Sequence, residues 1–126
     1  MKILVVDDEI EICNLLEEYF TAKGHVMIKA TSGKEAIEKT KAQKPNLVFL
    51  DIRMPQVDGM EVLKQIKEID KSIVVTMVTV VKDEEIAKKA LRLGAYDYVT
   101  KPISFDYLDK ITLLTELETN LFILCF

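Results

Sequence analysis

The chain alternates five times between a short apolar segment and a longer segment whose apolar residues recur every three or four positions. The short segments are rich in β-branched residues and predict strands, and the longer ones predict amphipathic helices. The strands are placed near Ile3–Val6, Val26–Ala30, Leu47–Asp51, Ile73–Val78 and Ala95–Val99. The helices are placed near Glu9–Lys23, Lys34–Gln43, Glu61–Ile69, Asp83–Leu93 and Phe105–Leu121. This alternation predicts an α/β fold, a parallel sheet with helices on both faces.

The strand segments differ in how apolar they are. The first, third and fourth (ILVV, LVFL and IVVTMV) are apolar almost throughout, as expected of strands that are covered on both faces. The second and fifth (VMIKA and AYDYV) are mixed and are therefore predicted to lie outside the other three. This pattern fits a doubly wound sheet with the strand order 2-1-3-4-5.

Two helices carry apolar stripes that predict core positions rather than a cofactor site. In the first helix the stripe comprises Ile12, Leu15, Leu16, Tyr19 and Phe20. In the fourth helix the apolar set is Ala87, Ala90, Leu91 and Leu93, and the charged residues interleaved with it predict a solvated face.

Composition limits the class of protein. The 126 residues suit one domain, and 49% hydrophobic with 30% charged residues is a soluble, globular balance, for which we expect a cytoplasmic protein without membrane contact. The net charge of −4 without a basic cluster argues against direct binding of nucleic acid. Cys13 and Cys125 lack the spacing of a zinc site or a disulfide framework.

Carboxylates follow two of the predicted central strands. Asp7 and Asp8 follow the first strand and Asp51 ends the third, so all three are expected at the switch point of the sheet. Carboxylates that close together repel each other unless a cation lies among them, and Mg²⁺ prefers such oxygen ligands. Alternatively, Asp8 and Glu9 cap the first helix and Asp51 is a turn residue. The joint position of the acids favours a metal site.

Two further polar residues are predicted at the same edge. Thr79 closes the fourth strand and Lys101 closes the fifth. An ammonium and a hydroxyl beside a metal could hold a phosphoryl group. The plainer alternatives are that Thr79 is an ordinary strand residue and that Lys101 is a surface lysine paired with an acid.

Together these segments resemble a known family. Asp7-Asp8, DIRMPQVDG (51–59), Thr79 and DYVTKP (97–102) are similar to the motifs of the receiver domain of bacterial two-component response regulators, of the chemotaxis-regulator type. The resemblance covers the chain to about Leu117 and implies a flavodoxin-like fold. We expect a receiver domain over 1–120 and an apolar tail of unknown role over 121–126.

The resemblance implies a phosphorylation site. Asp51 would be the phosphoacceptor, receiving its phosphoryl group from a histidine kinase, a phosphotransfer protein or a small phosphodonor. Asp8, Asp51 and the backbone carbonyl of Arg53 would ligate Mg²⁺, or Mn²⁺ in its place, with Asp7 acting through water. Lys101 would contact the phosphoryl oxygens. The protein would then be a signalling domain rather than a turnover enzyme.

The resemblance also implies a switch. Thr79 would move toward the phosphoryl group and Tyr98 would follow, which would change the surface of helix 4, strand 5 and helix 5, where a homodimer or an output partner would bind. Tyr98 could instead be an ordinary half-buried strand aromatic. The Lys101–Pro102 bond would be cis, as in the family.

Two features depart from the family pattern. Val80 stands where the family commonly has Ala or Gly, and its extra methyls are expected to slow the entry of the phosphoryl group or its hydrolysis. Arg53 and Val81 occupy positions that, in the family, modulate access of water to the aspartyl phosphate. The tail LFILCF (121–126) is apolar on every side. It could be a dimer or partner surface, a strand added to another molecule, or a non-native end of the chain.

Three other classes of protein were weighed. A Mg²⁺-dependent phosphatase of the haloacid-dehalogenase type would carry a second Asp two residues after its nucleophile, but this chain has Arg53 there. A flavin or nucleotide module would need a Gly, Ser or Thr loop where Asp7, Asp8 and Glu9 stand, and these acids would repel a phosphate. A receiver-like module that binds partners without being phosphorylated remains open.

Overall fold

The structure, a computed structural model, describes the backbone of residues 1–54 and 57–124 and the side chains of these ranges as far as residue 118. Five strands form one sheet: β1 (Lys2–Val6), β2 (Val26–Ala30), β3 (Leu47–Leu50), β4 (Val74–Thr79) and β5 (Asp97–Thr100). The helices are α1 (Ile10–Thr21), α2 (Gly33–Gln43), α3 (Gly59–Ile69), α4 (Glu84–Arg92) and α5 (Phe105–Leu124).

The sheet is parallel throughout and has the order β2-β1-β3-β4-β5. The predicted fold class and strand order are therefore confirmed. β1 and β3 are neighbours, with Ile3 opposite Leu47 and Val6 opposite Leu50. Because the chain runs outward from β1 to β2 and then returns to β3, the switch point of the sheet lies between the carboxyl ends of β1 and β3.

Both faces of the central strands are buried, and the side chains alternate between two cores. Leu4 and Val6 of β1 point into the core formed with α2, α3 and α4, whereas Ile3 and Val5 point into the core formed with α1 and α5. All four of these side chains are at most 2% exposed. Burial on both faces explains why the β1 segment ILVV is apolar throughout and does not alternate between apolar and polar residues.

The predicted helix stripes are only partly correct. In α1 the buried line runs through Cys13, Leu16 and Phe20, and Leu15 is 47% exposed. In α4 only Ala90 is fully buried, and Leu91 is 48% exposed. Both errors have the same cause: a helix turns by about 100° per residue, so an apolar residue directly beside a core position can face solvent.

The largest local difference from the prediction lies after β3. Arg53–Met54 and Val57–Asp58 pair as an antiparallel hairpin with two residues in each strand. The apolar pattern did not predict it, because strands this short carry no measurable period.

At the other end of the chain, α5 extends to Leu124 rather than Leu121. Of the predicted tail, residues 125 and 126 and all side chains lie outside the described part, so its role stays a prediction. None of the described helices is long and apolar enough to cross a membrane.

One buried hydroxyl leads to a prediction about stability. Thr76 in β4 is fully buried, and its Oγ1 makes no hydrogen bond to any part of the chain that the structure describes. An unpaired buried hydroxyl destabilises a fold by about 1–3 kcal/mol. Thr76→Val should therefore raise the free energy of unfolding by about 1 kcal/mol in urea denaturation.

Thr40 offers a matched control for that substitution. It is also fully buried, but its hydroxyl donates a hydrogen bond to the carbonyl of Ala36 at 2.7 Å. Thr40→Val should not stabilise the protein. Equal effects of the two substitutions would contradict the inference that the unpaired hydroxyl of Thr76 destabilises the fold.

Candidate functional site

The backbone hydrogen bonding of the sheet continues past the strand ends and places three of the predicted site residues at one edge. The amide of Asp7 donates to the carbonyl of Ala30 at 3.1 Å, and that of Asp51 donates to Val6 at 3.0 Å. On the other side, the amide of Lys101 donates to the carbonyl of Thr79 at 2.7 Å. Residues separated by up to 94 positions in sequence are thereby brought into side-chain contact.

Lys101 lies at the centre of the site. Its Nζ donates to Oδ2 of Asp7 at 2.8 Å and to Oδ2 of Asp51 at 3.0 Å, and it lies 3.6 Å from Oε1 of Glu9. The side chains of Lys101, Asp7 and Asp51 are 9%, 4% and 4% exposed. Lys101 is therefore a buried counter-ion bridging two of the predicted acids rather than a solvated surface lysine.

Burial and pairing act in opposite directions on these groups. Burial raises the pKa of the Asp7 carboxyl, and the hydrogen bond from Lys101 offsets only part of that effect. For Lys101, burial alone would lower the pKa, but the hydrogen bonds to Asp7 and Asp51 prevail and raise it. The ammonium is therefore held charged. One lysine faces two buried carboxylates and the nearby acids Asp8 and Glu9, so the site keeps an excess of negative charge.

Asp8 completes a group of three carboxylates. One oxygen from each of Asp7, Asp8 and Asp51 lies within 4.8 Å of the others, and among the described residues this is the group whose ligand atoms are close enough to share a metal ion. Asp8 is exposed and lines an open cleft of about 450 Å³ with Arg53, Ile52, Met54 and Val57. The carboxylate oxygens are hard donors, and the site is open to solvent on one side. This arrangement suits Mg²⁺, because the ion keeps several of its water ligands when it binds to a protein.

Local turns aim the two buried carboxylates. Oδ1 of Asp7 accepts a hydrogen bond from the amide of Glu9, and Oδ1 of Asp51 accepts one from the amide of Arg53, each at 3.0 Å. Each aspartate thus binds the backbone two residues further on, which is a turn that Asp favours. The turn at Asp51 that the sequence analysis offered as an alternative is therefore present, and the same side chain lies in the carboxylate group.

Gly59 is a site residue that appeared in the sequence analysis only as the last letter of a motif. A Cβ at this position would lie 2.5 Å from Cα of Ile52 and 2.6 Å from the carbonyl oxygen of Asp51. These are backbone atoms that cannot move aside, so only glycine allows the start of α3 to pack against the segment that carries Asp51. The Asp-Gly pair that begins α3 was the available signal.

Thr79 and Tyr98 meet at one residue. Thr79 is fully buried, and its Oγ1 accepts a hydrogen bond from the amide of Val81 at 3.3 Å. Tyr98 is half-buried, and its hydroxyl donates to the carbonyl of Val81 at 2.5 Å. Burial, followed by the charges of Asp83 and Asp51, raises the pKa of the Tyr98 phenol, so it stays a donor. Val81 couples the two side chains, a connection that sequence spacing could not reveal.

The other residues singled out in the sequence lie around this centre. The Lys101–Pro102 bond is cis, as the resemblance implied. Val80 is 51% exposed, Arg53 is exposed and Val81 is half-buried. The sequence analysis treated Glu9 as a helix-capping acid and as one of the acids that would repel a phosphate, and its carboxylate lies within ion-pair distance of Lys101. The Glu9 side chain makes no capping hydrogen bond to α1.

The strand order is that of a flavodoxin-like fold with CheY-like structural neighbours, and the carboxylates lie at its switch point. The family model described as "Response regulator receiver domain" matches residues 3–112, and the chain belongs to this family. It is thus a receiver domain of two-component systems, a class of signalling domain that interacts with histidine kinases or phosphotransfer proteins.

Two curated proteins and one solved structure illustrate the relationship. The "Alkaline phosphatase synthesis transcriptional regulatory protein PhoP" of Bacillus subtilis is 45% identical over 104 residues, which is 82% of this chain and 43% of that protein. "Sporulation initiation phosphotransferase F" of the same organism is 34% identical, covering 94% of this chain and 97% of its own length. The crystal structure of a two-component response regulator from Clostridium difficile is 27% identical, with a TM-score of 0.91 over 95% of this chain and 98% of that one. The chain thus spans less than half of PhoP.

Proposed function

We propose that this chain is the phosphoacceptor of a two-component phosphorelay and that Asp51 accepts the phosphoryl group of a phosphohistidine. The observation that carries this proposal is the setting of the Asp51 carboxylate. It is buried at the switch point, with one oxygen bound to the ammonium of Lys101 and the other to the amide of Arg53. A positioned carboxylate beside a fixed positive charge is what phosphoryl transfer requires.

In the proposed step, an oxygen of Asp51 forms a bond to phosphorus while the phosphorus–nitrogen bond of the donor histidine breaks. The electron pair of that bond leaves with the imidazole nitrogen, so the product is an aspartyl phosphate and a free histidine. Lys101, whose ammonium already contacts Asp51, offsets the negative charge of the transferred group. A bound Mg²⁺, or Mn²⁺, would neutralise charge on the phosphoryl oxygens.

Asp8, Asp51 and the backbone carbonyl of Arg53 are the proposed metal ligands. Asp8 is exposed and makes no hydrogen bond through its carboxylate within the described part of the chain, so its oxygens are available. Both oxygens of Asp7 are engaged, one by the Glu9 amide and one by Lys101. Both oxygens of Asp51 are engaged in the same way, so the proposed role of Asp7 through water rests on the family resemblance.

Removing the exposed ligand should weaken metal binding selectively. We expect Asp8→Asn to reduce the affinity for Mg²⁺ by about tenfold or more in titration calorimetry, because losing a direct ligand exceeds the usual effect of outer-shell changes. Asp106→Asn, an exposed acid in the first turn of α5, is the control and should leave the affinity unchanged. Equal loss in both variants would show that only general electrostatics had been measured.

Thr79 and Tyr98 are the proposed switch. Their shared contact with Val81 supports this role, because a change in the hydrogen bond of Thr79 would act on the loop that also holds the Tyr98 hydroxyl. Movement there would alter the surface of α4, β5 and α5, on which we propose that a homodimer or output partner binds. Arg53, whose amide binds Asp51, and Val80 and Val81, which follow Thr79, are proposed to modulate access to the acceptor. The receiver unit is proposed to comprise residues 1–120.

Acetyl phosphate, a small phosphodonor, provides the direct test of the function. Incubation with acetyl phosphate and Mg²⁺ should add the mass of one phosphoryl group, as seen by intact-protein mass spectrometry. Incubation with acetyl phosphate and a chelator should add little or none, because the excess acid charge would then repel the incoming phosphate. No mass change under either condition would favour the partner-binding alternative, in which the receiver acts without being phosphorylated.

A further inference from the structure

A second cleft lies at the opposite edge of the sheet, where the strands begin. It has a volume of about 770 Å³ and lies between the turn before β3, the turn before β4, the turn before β5 and α5. We call this cleft, lined by Lys44, Asn46, Lys67, Lys71, Ile73 and Tyr96 among others, the lower cleft. Its size falls within the range of small-molecule sites, about 300–1,000 Å³. Strand length places it roughly 15–20 Å from the carboxylates.

The charges of the lower cleft favour an anion. Three lysines line it, against the acids Asp70 and Glu118. Asp70 is already engaged, because its Oδ1 accepts hydrogen bonds from the amide of Ser72 at 2.8 Å and from the Ser72 hydroxyl at 2.6 Å. Those bonds, with the nearby charges of Lys67 and Lys44, lower the pKa of Asp70, so it stays ionised. Three lysines against two acids leave the lining with a net charge of +1.

The three lysines are not equivalent. Nζ of Lys67 donates to the carbonyls of Lys71 at 2.7 Å and Ile73 at 2.8 Å. This ammonium is therefore hydrogen-bonded to the turn that follows α3. Lys44 and Lys71 are exposed, and neither ammonium donates a hydrogen bond to any residue in the described ranges. Two ammonium groups therefore remain available to a ligand on the rim of the cleft.

An apolar surface lies next to these ammonium groups. Ile73 and Ala95 are buried at the base of the cleft, and Tyr96 is 42% exposed. The backbone of Tyr96 is fixed by its amide, which donates to the carbonyl of Val75 at 2.8 Å. Gly94 has a φ of +106°, which lets the turn pass beneath the stem of Lys67. An exposed tyrosine that lines a cleft offers a ring face on which another flat ring can stack.

We propose that the lower cleft binds a small organic phosphate that carries a flat ring, such as a nucleoside monophosphate. The phosphate would lie between the ammonium groups of Lys44 and Lys71, and the ring would lie against Tyr96. The cleft shares no residue with the carboxylate site, so binding should not require phosphorylation of Asp51.

The proposal can be tested by following backbone amide resonances of the full chain during titration with AMP. Saturable shifts are expected at Lys71, Gly94 and Tyr96. Ribose 5-phosphate, which lacks the base, and adenosine, which lacks the phosphate, should each bind more weakly than AMP. Lys71→Gln should weaken AMP binding by about fivefold, as expected for one exposed ionic contact. Tyr96→Leu should reduce the preference for AMP over ribose 5-phosphate.

Two control variants separate this site from others. Lys64→Gln removes an exposed lysine of α3 that does not line the lower cleft, and it should leave AMP binding unchanged. Asp51→Asn should also bind AMP like the parent, which keeps this test independent of the phosphorylation test. Shifts that stay linear up to about 20 mM AMP, or equal loss in Lys71→Gln and Lys64→Gln, would overturn the proposal.

Discussion

Asp51→Asn is expected to abolish phosphoryl capture altogether. With Mg²⁺ and acetyl phosphate the parent should gain one phosphoryl group per chain, and the variant should gain none. The amide of Asn is a poor nucleophile, yet it has the shape of the carboxylate and can still accept the hydrogen bond that the Arg53 amide gives to Asp51 at 3.0 Å. The loss would therefore be chemical rather than structural.

The stability of the variant supports that distinction. Lys101 keeps its 2.8 Å bond to Asp7 and loses its acceptor at position 51, while one of the crowded carboxylates becomes neutral, which offsets that loss. We therefore expect the midpoint of urea unfolding to be no lower than that of the parent in the absence of metal. Asp58→Asn is a matched control and should still capture a phosphoryl group like the parent. Asp58 is an exposed acid that caps α3, and Asn is an equally good cap. If Asp51→Asn gained a phosphoryl group to the same extent as the parent, the acceptor would have to be another carboxylate.

Lys101→Met is expected to produce the largest change in stability. Lys101 is the only cation within the described residues that pairs with Asp7 and Asp51, and all three side chains are at most 9% exposed. Removing one partner from a buried ionic group leaves uncompensated charge and typically costs about 3–5 kcal/mol. Met keeps the length of the side chain, so the loss should reflect charge rather than a cavity.

Urea denaturation with and without Mg²⁺ would measure this effect. In chelator we expect the free energy of unfolding to fall by about 3 kcal/mol. Mg²⁺ should recover part of that loss, and should stabilise the variant more than the parent, because the metal then supplies the missing positive charge. Lys64→Met, an exposed lysine outside the site, should change stability by less than about 0.5 kcal/mol. If Mg²⁺ stabilised the parent and Lys101→Met equally, the inference that Lys101 supplies the positive charge needed by these carboxylates would be wrong.

Several parts of the fold were accessible from sequence for a physical reason. The segments ILVV, LVFL and IVVTMV are apolar because β1, β3 and β4 are buried on both faces, and that burial follows from their central positions. The strand order was also implied by the family resemblance, so it does not rest on hydropathy alone. The stripe residues Leu15 and Leu91 were assigned wrongly because apolar character does not fix which side of a helix faces the sheet.

The sequence by itself determined the alternation of strands and helices, the central strands, and the acids and the lysine that end them, since these depend on local pattern and on the rule that parallel strands end at one edge. Only the tertiary structure decided that Lys101 bridges Asp7 and Asp51, that Thr79 and Tyr98 meet at Val81, and that position 59 must be glycine. Lys101 reaches Asp7 and Asp51 across 94 and 50 positions, and Tyr98 reaches Val81 across 17. Such approaches are set by the packing of the whole chain rather than by any local preference.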